Sequence, residues 1–173
     1  MEARQVISVK PAKAKSWQPC YRIQIGSREI FHNLEQLGFG ARKGERLGFP
    51  KVPVPFLPDF TRGYFDGDGS VSYGSYRKKG RPGKSRFLLC RFSSESKSFL
   101  TALRAALSSH AKLGKGSLIF YGNCYQLSYA SSDSDRLFRF MYGETISLQK
   151  PLLKRKYDKF IRALHFFKQG AVA

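Results

Sequence analysis

The chain predicts an α+β fold in which helices and antiparallel β-hairpins alternate in the order αββαββα. Residues 71–92 and 118–129 each hold two short alternating runs around turn residues: Arg77, Lys78, Lys79, Gly80, Arg81, Pro82, Gly83 and Lys84 in the first, Gly122 and Asn123 in the second. Alternation with a period of two is the pattern of a half-buried strand. Before and after each pair lie stretches with apolar residues three and four apart, which is one face of a helix. At 173 residues the chain is long enough for one domain with a real hydrophobic core.

Residues 1 to about 18 carry Lys10, Lys13 and Lys15 around Pro11 and read as a basic arm, to which Val6, Ile7 and Val9 could add an edge strand. Tyr21 to Ile25 alternates as a strand. Ser27 can cap a helix through about Leu37, with Ile30, Leu34 and Leu37 on one face and Gly38 as its stop. A basic loop, 40–46, leads to Pro50, Pro53, Pro55 and Pro58. A helix starts near Pro58, where proline fits the first turn and Asp59 suits the positive end of the dipole. It ends at Gly67 or Gly69, where glycine allows a left-handed last turn.

After the first hairpin, Ser93 or Ser94 caps a helix with the stripe Phe99, Leu100, Leu103 and Leu107. After the second, Ser131 or Ser132 caps another that carries Leu137, Phe138, Met141 and Tyr142 and stops at Gly143. A last helix starts near Pro151, with Leu152, Leu153, Tyr157, Phe160, Ile161 and Leu164 apolar and Lys154, Arg155, Lys159 and Arg162 turned outward. The division read from this order is 1–55, a basic arm with a strand–helix extension; 56–165, the core with its C-terminal helix; and 166–173, a tail.

Lysine and arginine number 31 against 12 acids, a net charge of +19. Charge of that size, spread along the chain, favours a polyanionic partner over a broad surface. Cys20, Cys90 and Cys124 lie in or beside apolar runs without zinc spacing and read as buried free thiols. His32, His110 and His165 form no cluster in sequence. No apolar run reaches a membrane-spanning length and the N-terminus lacks a signal-peptide core, so the expected location is intracellular and soluble.

The helix at 58–68 carries two costly features. Gly63 and Gly67, four apart on one face, each cost about 1 kcal/mol relative to alanine, which suits a site where another backbone comes close. Asp66 and Asp68 stand at the C-terminal end, where the dipole disfavours anions, so a positive partner is expected there. Read together, Thr61-Arg62-Gly63-Tyr64-Phe65-Asp66-Gly67-Asp68-Gly69 resembles the nine-residue motif of the LAGLIDADG homing endonucleases. A single copy occurs, which is similar to the family's one-motif, dimeric type. One half of a larger two-motif protein is the competing explanation. The run from Leu153 to Phe160 also resembles the family's basic-aromatic stretch after the second hairpin.

The resemblance implies a four-stranded antiparallel saddle on DNA, backed by helices, in a site-specific double-stranded DNA endonuclease associated with an intron or intein. It makes Arg62, Gly63, Asp66 and Gly67 a homodimer interface. Asp68, helped by the Gly67 carbonyl, becomes the ligand of magnesium, with manganese or calcium able to substitute, and Asp66 its companion acid. Magnesium keeps several waters, so one carboxylate from each protomer together with phosphate oxygens would complete its shell. A β-ribbon with a basic tip fits a major groove; Tyr73, Arg77, Lys78, Lys79, Arg81, Lys84 and Arg86, with Lys154 and Arg155, are the candidate DNA contacts. The family's polar strand residue matches Arg91, or Arg86 or Ser93 in a shifted register. Its lysine near the end of the second hairpin is replaced by Ser131, which leaves Lys115, Lys112 or Lys97 as candidates. The alternative is a non-cleaving DNA- or RNA-binding relative, a splicing cofactor or a repressor. A ribosome-associated basic protein accounts for the charge but not for the glycines.

Overall fold

The computed structural model describes residues 4–10, 20–39, 48–80, 82–143 and 152–169. Loop 40–46, Arg81, Pro151 and most of the proposed basic arm lie outside them. The chain forms two compact units, Met1–Ala41 and Arg42–Ala173.

In the first unit β1 (Arg4–Lys10) pairs antiparallel with β2 (Cys20–Gly26), and α1 (Arg28–Gln36) follows. Part of the stretch read as an arm is thus a paired strand. Ser27 caps α1, its hydroxyl accepting from the Ile30 amide at 3.2 Å, and Gly38 closes it at φ +92°. Ile7 and Ile23 face each other across the hairpin and stay exposed, as do Ile30, Leu34 and Leu37 of the helix.

The second unit is a four-stranded antiparallel sheet backed by helices. The strands β3 (Gly69–Tyr76), β4 (Ser85–Ser94), β5 (Ser117–Tyr121) and β6 (Cys124–Ala130) lie in the order β3-β4-β6-β5. Their period of two sorts the faces. Val71, Leu88, Cys90, Phe92, Leu127 and Tyr129 point under the helices and are buried. Ser70, Ser72, Leu89, Arg91, Gln126, Ser128, Ser117 and Ile119 occupy the alternate positions of the same strands, on the open face.

A short 3-10 turn, Val54–Phe56, leads into α2 (Leu57–Asp68); α3 (Lys97–Ala111), α4 (Ser132–Tyr142) and α5 (Lys154–Lys168) complete the helical layer. Helix α3 starts later than the sequence suggests. Ser96 is its cap and accepts from the Phe99 amide, while Ser94 Oγ accepts from the Ser96 amide. The stripe Phe99, Leu100, Leu103 and Leu107 is fully buried, as the spacing predicts. Helices α4 and α5 meet through Phe138, Tyr157 and Phe160 and through Asp135, which pairs with Arg139 and Lys168. Partial burial opposes ionisation of Asp135, and these two cations outweigh it and hold the carboxyl below its usual range. Helix α5 continues through Lys168, so Phe166 and Phe167 belong to a helix rather than a tail. Cys90 is a buried free thiol whose pKa burial pushes up to about 12, and Cys124 is free and half-buried. No helix among the described residues is long and apolar enough to cross a membrane.

Candidate nucleic-acid interface

Helix α2 packs on the sheet and against α4 and α5. Phe65 is fully buried against Phe92 and Phe160, Tyr64 donates to the Ser93 carbonyl at 2.6 Å, and Thr61 bonds back to the Leu57 carbonyl. Burial raises the Tyr64 pKa to about 12, the neighbouring charge of Asp68 adding to the effect. Arg62 does not join the outer face. It is buried, donates to the Met141 carbonyl of α4 at 3.2 Å and pairs with Asp59 at 2.8 Å. Gly63 and Gly67 do lie outward: both are exposed, and a Cβ built on either meets nothing within 4 Å. Beside them a groove of about 610 Å³ runs along Asp59, Arg62, Gly63, Asp66, Leu152 and Leu153.

The two acids of the motif have different surroundings. Asp66 is half-buried and its Oδ2 accepts from the backbone amide of Leu153, the N-cap residue of α5, at 2.9 Å. It therefore serves as an anion at the electropositive start of α5, which explains its place at the unfavourable end of α2. Tyr142 stands close enough that the carboxylate adds to the upward shift burial gives its hydroxyl. Asp68 is exposed and makes no hydrogen bond or ion pair among the described residues. Gly69 leaves the helix in extended conformation, φ −85° and ψ 160°, not in a left-handed turn. Glycine is required there for space, because a Cβ would lie 2.3 Å from Phe65 Cδ2.

The positive partner expected at this helix end is Lys156. Its Nζ donates to the carbonyls of Phe65 at 2.8 Å, Gly67 at 3.2 Å and Gly69 at 2.6 Å. The three donors of an ammonium are thereby spent on carbonyls at the helix end, one of which, that of Phe65, also accepts the Gly69 amide. The helices complement each other: α2 lends Asp66 to the start of α5, and α5 lends Lys156 to the end of α2. Desolvation lowers the Lys156 pKa, with Arg155 adding to the shift and Asp66 and Asp68 opposing it. A lysine in a first turn without acids, beside Lys154 and Arg155, is placed against its own helix dipole. That conflict is a signal that could have marked Lys156 as engaged elsewhere, although it does not name the partners.

The proposed DNA contacts fall into two groups. Arg77, Lys78, Lys79 and Lys84 are exposed around the β3–β4 turn; Arg81 lies outside the described residues. Lys154 and Arg155 are exposed at the start of α5, Lys154 paired with Asp158 at 2.8 Å. Tyr73 and Arg86 sit on the helix-covered face instead. Tyr73 packs on Phe166 with centroids 5.4 Å apart; Arg86 lies 4.6 Å over the same ring and donates to the Phe166 carbonyl. Register explains this, since Tyr73 pairs with Leu88 and Ser75 with Arg86, in the same column as buried Cys90.

Arg91 is on the open face opposite Ser70, two residues after Asp68, in a row that continues through Ser128 to Ser117. Lys115 precedes that row at the far edge, three strand spacings or roughly 14 Å from β3, so the sheet keeps it apart from Asp68. Lys112 caps α3 at φ 52° and Lys97 begins the same helix. Ser131, where a lysine is expected, turns from β6 into α4 at φ 53° and donates its amide to the Leu88 carbonyl.

These residues do not fit a divalent ion as a set. The Gly67 carbonyl engages Lys156, Asp66 is turned to Leu153, and Asp68 is left as the one outward carboxylate of the pair. A dication about 4 Å from the ammonium would be repelled by about 8 kcal/mol at an effective dielectric near 20. Among the described residues no group of three or more histidine, cysteine, aspartate or glutamate side chains could hold a metal ion.

No family model matches the chain, and no curated protein matches it. Among the solved structures similar to it are three of low identity. The I-LtrWI LAGLIDADG homing endonuclease bound to target DNA is 14% identical, covering 68% of this chain and 39% of its own, with a TM-score of 0.47. The N-terminal LAGLIDADG domain of DUF199/WhiA is 16% identical over 92% of this chain and 64% of its own, with a TM-score of 0.47. The I-SmaMI LAGLIDADG homing endonuclease bound to cleaved DNA is 17% identical over 85% of this chain and 47% of its own, with a TM-score of 0.48. The chain thus spans less than two thirds of each of these structures.

Proposed function

We propose that this chain binds double-stranded DNA as a pair of like copies joined through the outer face of α2. The observation that carries the reading is the open sheet face, which holds Arg91 and extends to an exposed basic turn, Arg77, Lys78, Lys79 and Lys84. Phosphate contacts from the turn would position the ribbon, and side chains of the open face would meet base edges. Gly63 and Gly67, exposed and unopposed among the described residues, are where a second α2 could approach backbone to backbone.

Metal-dependent endonuclease activity is the second reading. It is favoured by Asp68, which stands exposed and unpaired among the described residues, two positions before the residue that faces Arg91. One experiment addresses both. Selection from a random duplex pool should enrich a pseudo-palindromic site, because a twofold pair reads two related half-sites. Retention of single-stranded RNA in preference to any duplex would sink the DNA reading. On the enriched duplex, magnesium-dependent nicking that Asp68→Asn abolishes would establish the second reading; intact duplex would leave the protein a binder.

A further inference from the structure

Lys156 places a cation where the helix end and its two acids call for one. Its ammonium is held by three carbonyls within 3.2 Å, those of Phe65, Gly67 and Gly69. The chain on which it rides is anchored from the same helix, because the amide of Leu153 is held by Asp66. Phe160, one turn further along α5, is fully buried against Phe65. Lys156 is thus a fixed charge on a packed helix, and a swing outward would break three hydrogen bonds at once. Asp66 and Asp68 both contribute attraction to it.

We propose that Lys156 is a resident cation that takes the place of a divalent ion at the C-terminal end of α2, so that the chain presents its DNA-binding face without a metal there. The ammonium supplies the positive charge that the carbonyls and carboxylates need, and it repels a second cation from the Gly67 carbonyl. Removing it opens an acceptor position on each of the three carbonyls at the end of α2 that carries Asp68, hard oxygen donors of the kind calcium and manganese accept. The part concerning DNA rests on the function proposed above; the part concerning the ion does not.

The test separates the two. Manganese is titrated into the isotopically labelled full chain without DNA, and paramagnetic broadening of the Gly67, Asp68 and Gly69 amides is followed. The wild-type protein should show no selective broadening. Lys156→Met should bind manganese at least about tenfold more tightly, and Lys156→Met combined with Asp68→Asn should lose that gain. Selective broadening in the wild type overturns the proposal, and so does equal affinity in wild type and Lys156→Met. If Lys156→Met fails to fold, the wild-type titration alone decides, since a resident cation predicts silence at those three amides. Duplex affinity is then measured in EDTA and in magnesium at matched ionic strength. Equal values support the proposal. A loss of tenfold or more in EDTA, with selective broadening, overturns it. Absence of duplex binding in both buffers overturns the DNA reading and leaves the ion result standing.

Discussion

Asp66 and Asp68 are separated by one glycine and do different work. Asp66 reaches inward to the Leu153 amide at 2.9 Å and holds the start of α5, whereas Asp68 stays exposed. A hydrogen bond to a charged group contributes about 1.5–3 kcal/mol, so Asp66→Ala should lower unfolding free energy in urea by that order. Asp68→Asn, at an exposed position without a hydrogen bond among the described residues, should stay within about 0.5 kcal/mol of wild type. Equal losses would mean that the acids are not divided in this way. The repeated Asp-Gly pairs mark this helix end as unusual but do not show this division, because nothing local to residues 66–68 shows that an amide 87 positions later arrives beside one of them.

At the level of elements, period and punctuation were legible. Alternation located all four strands of the sheet, the Gly122-Asn123 turn closed the second hairpin, and the buried stripe of α3 is the one its spacing describes. The direction each strand face takes was not legible, since an alternating run defines two faces without naming the covered one. Tyr73 and Arg86 suit either face by residue type, and the packing of α5 through Phe166 decides for the covered one. Lys156 was hidden for a related reason: its partners belong to another helix, far away in sequence. Gly63 shows the opposite case, a residue whose cost is visible and for which the described residues hold no reason. A Cβ there meets nothing within 4 Å and the residue is in mid-helix. Gly63→Ala should therefore stabilise the isolated chain by about 0.5–1 kcal/mol through helix propensity. The same change should weaken self-association if a second α2 packs on that face. Thermal unfolding at low concentration and sedimentation over a concentration series read the two effects separately. A more stable chain with unchanged association would remove Gly63 from the interface.

For the whole molecule the deciding quantity is how a net charge of +19 is distributed relative to the open sheet face. If the basic turn lies on phosphates, each lost contact should reduce the slope of log affinity against log salt by about 0.9. Replacing Arg77, Lys78, Lys79 and Lys84 together with glutamine should then reduce it by up to about 3.6, with little effect on stability, because all four are exposed. Arg86 supplies the control. It is equally cationic and only two residues from Lys84, but its guanidinium is engaged with the carbonyl and ring of Phe166. Arg86→Ala should lower the unfolding free energy by about 1–3 kcal/mol while leaving the salt slope where it was. Anisotropy titrations on one duplex between low and moderate salt measure the slopes, and urea melts measure the stabilities. A slope that falls with Arg86→Ala and not with the four-residue variant would place the phosphates on the opposite face of the sheet. In that event α5, with Arg155 exposed at its start, would have to be the element lying against DNA.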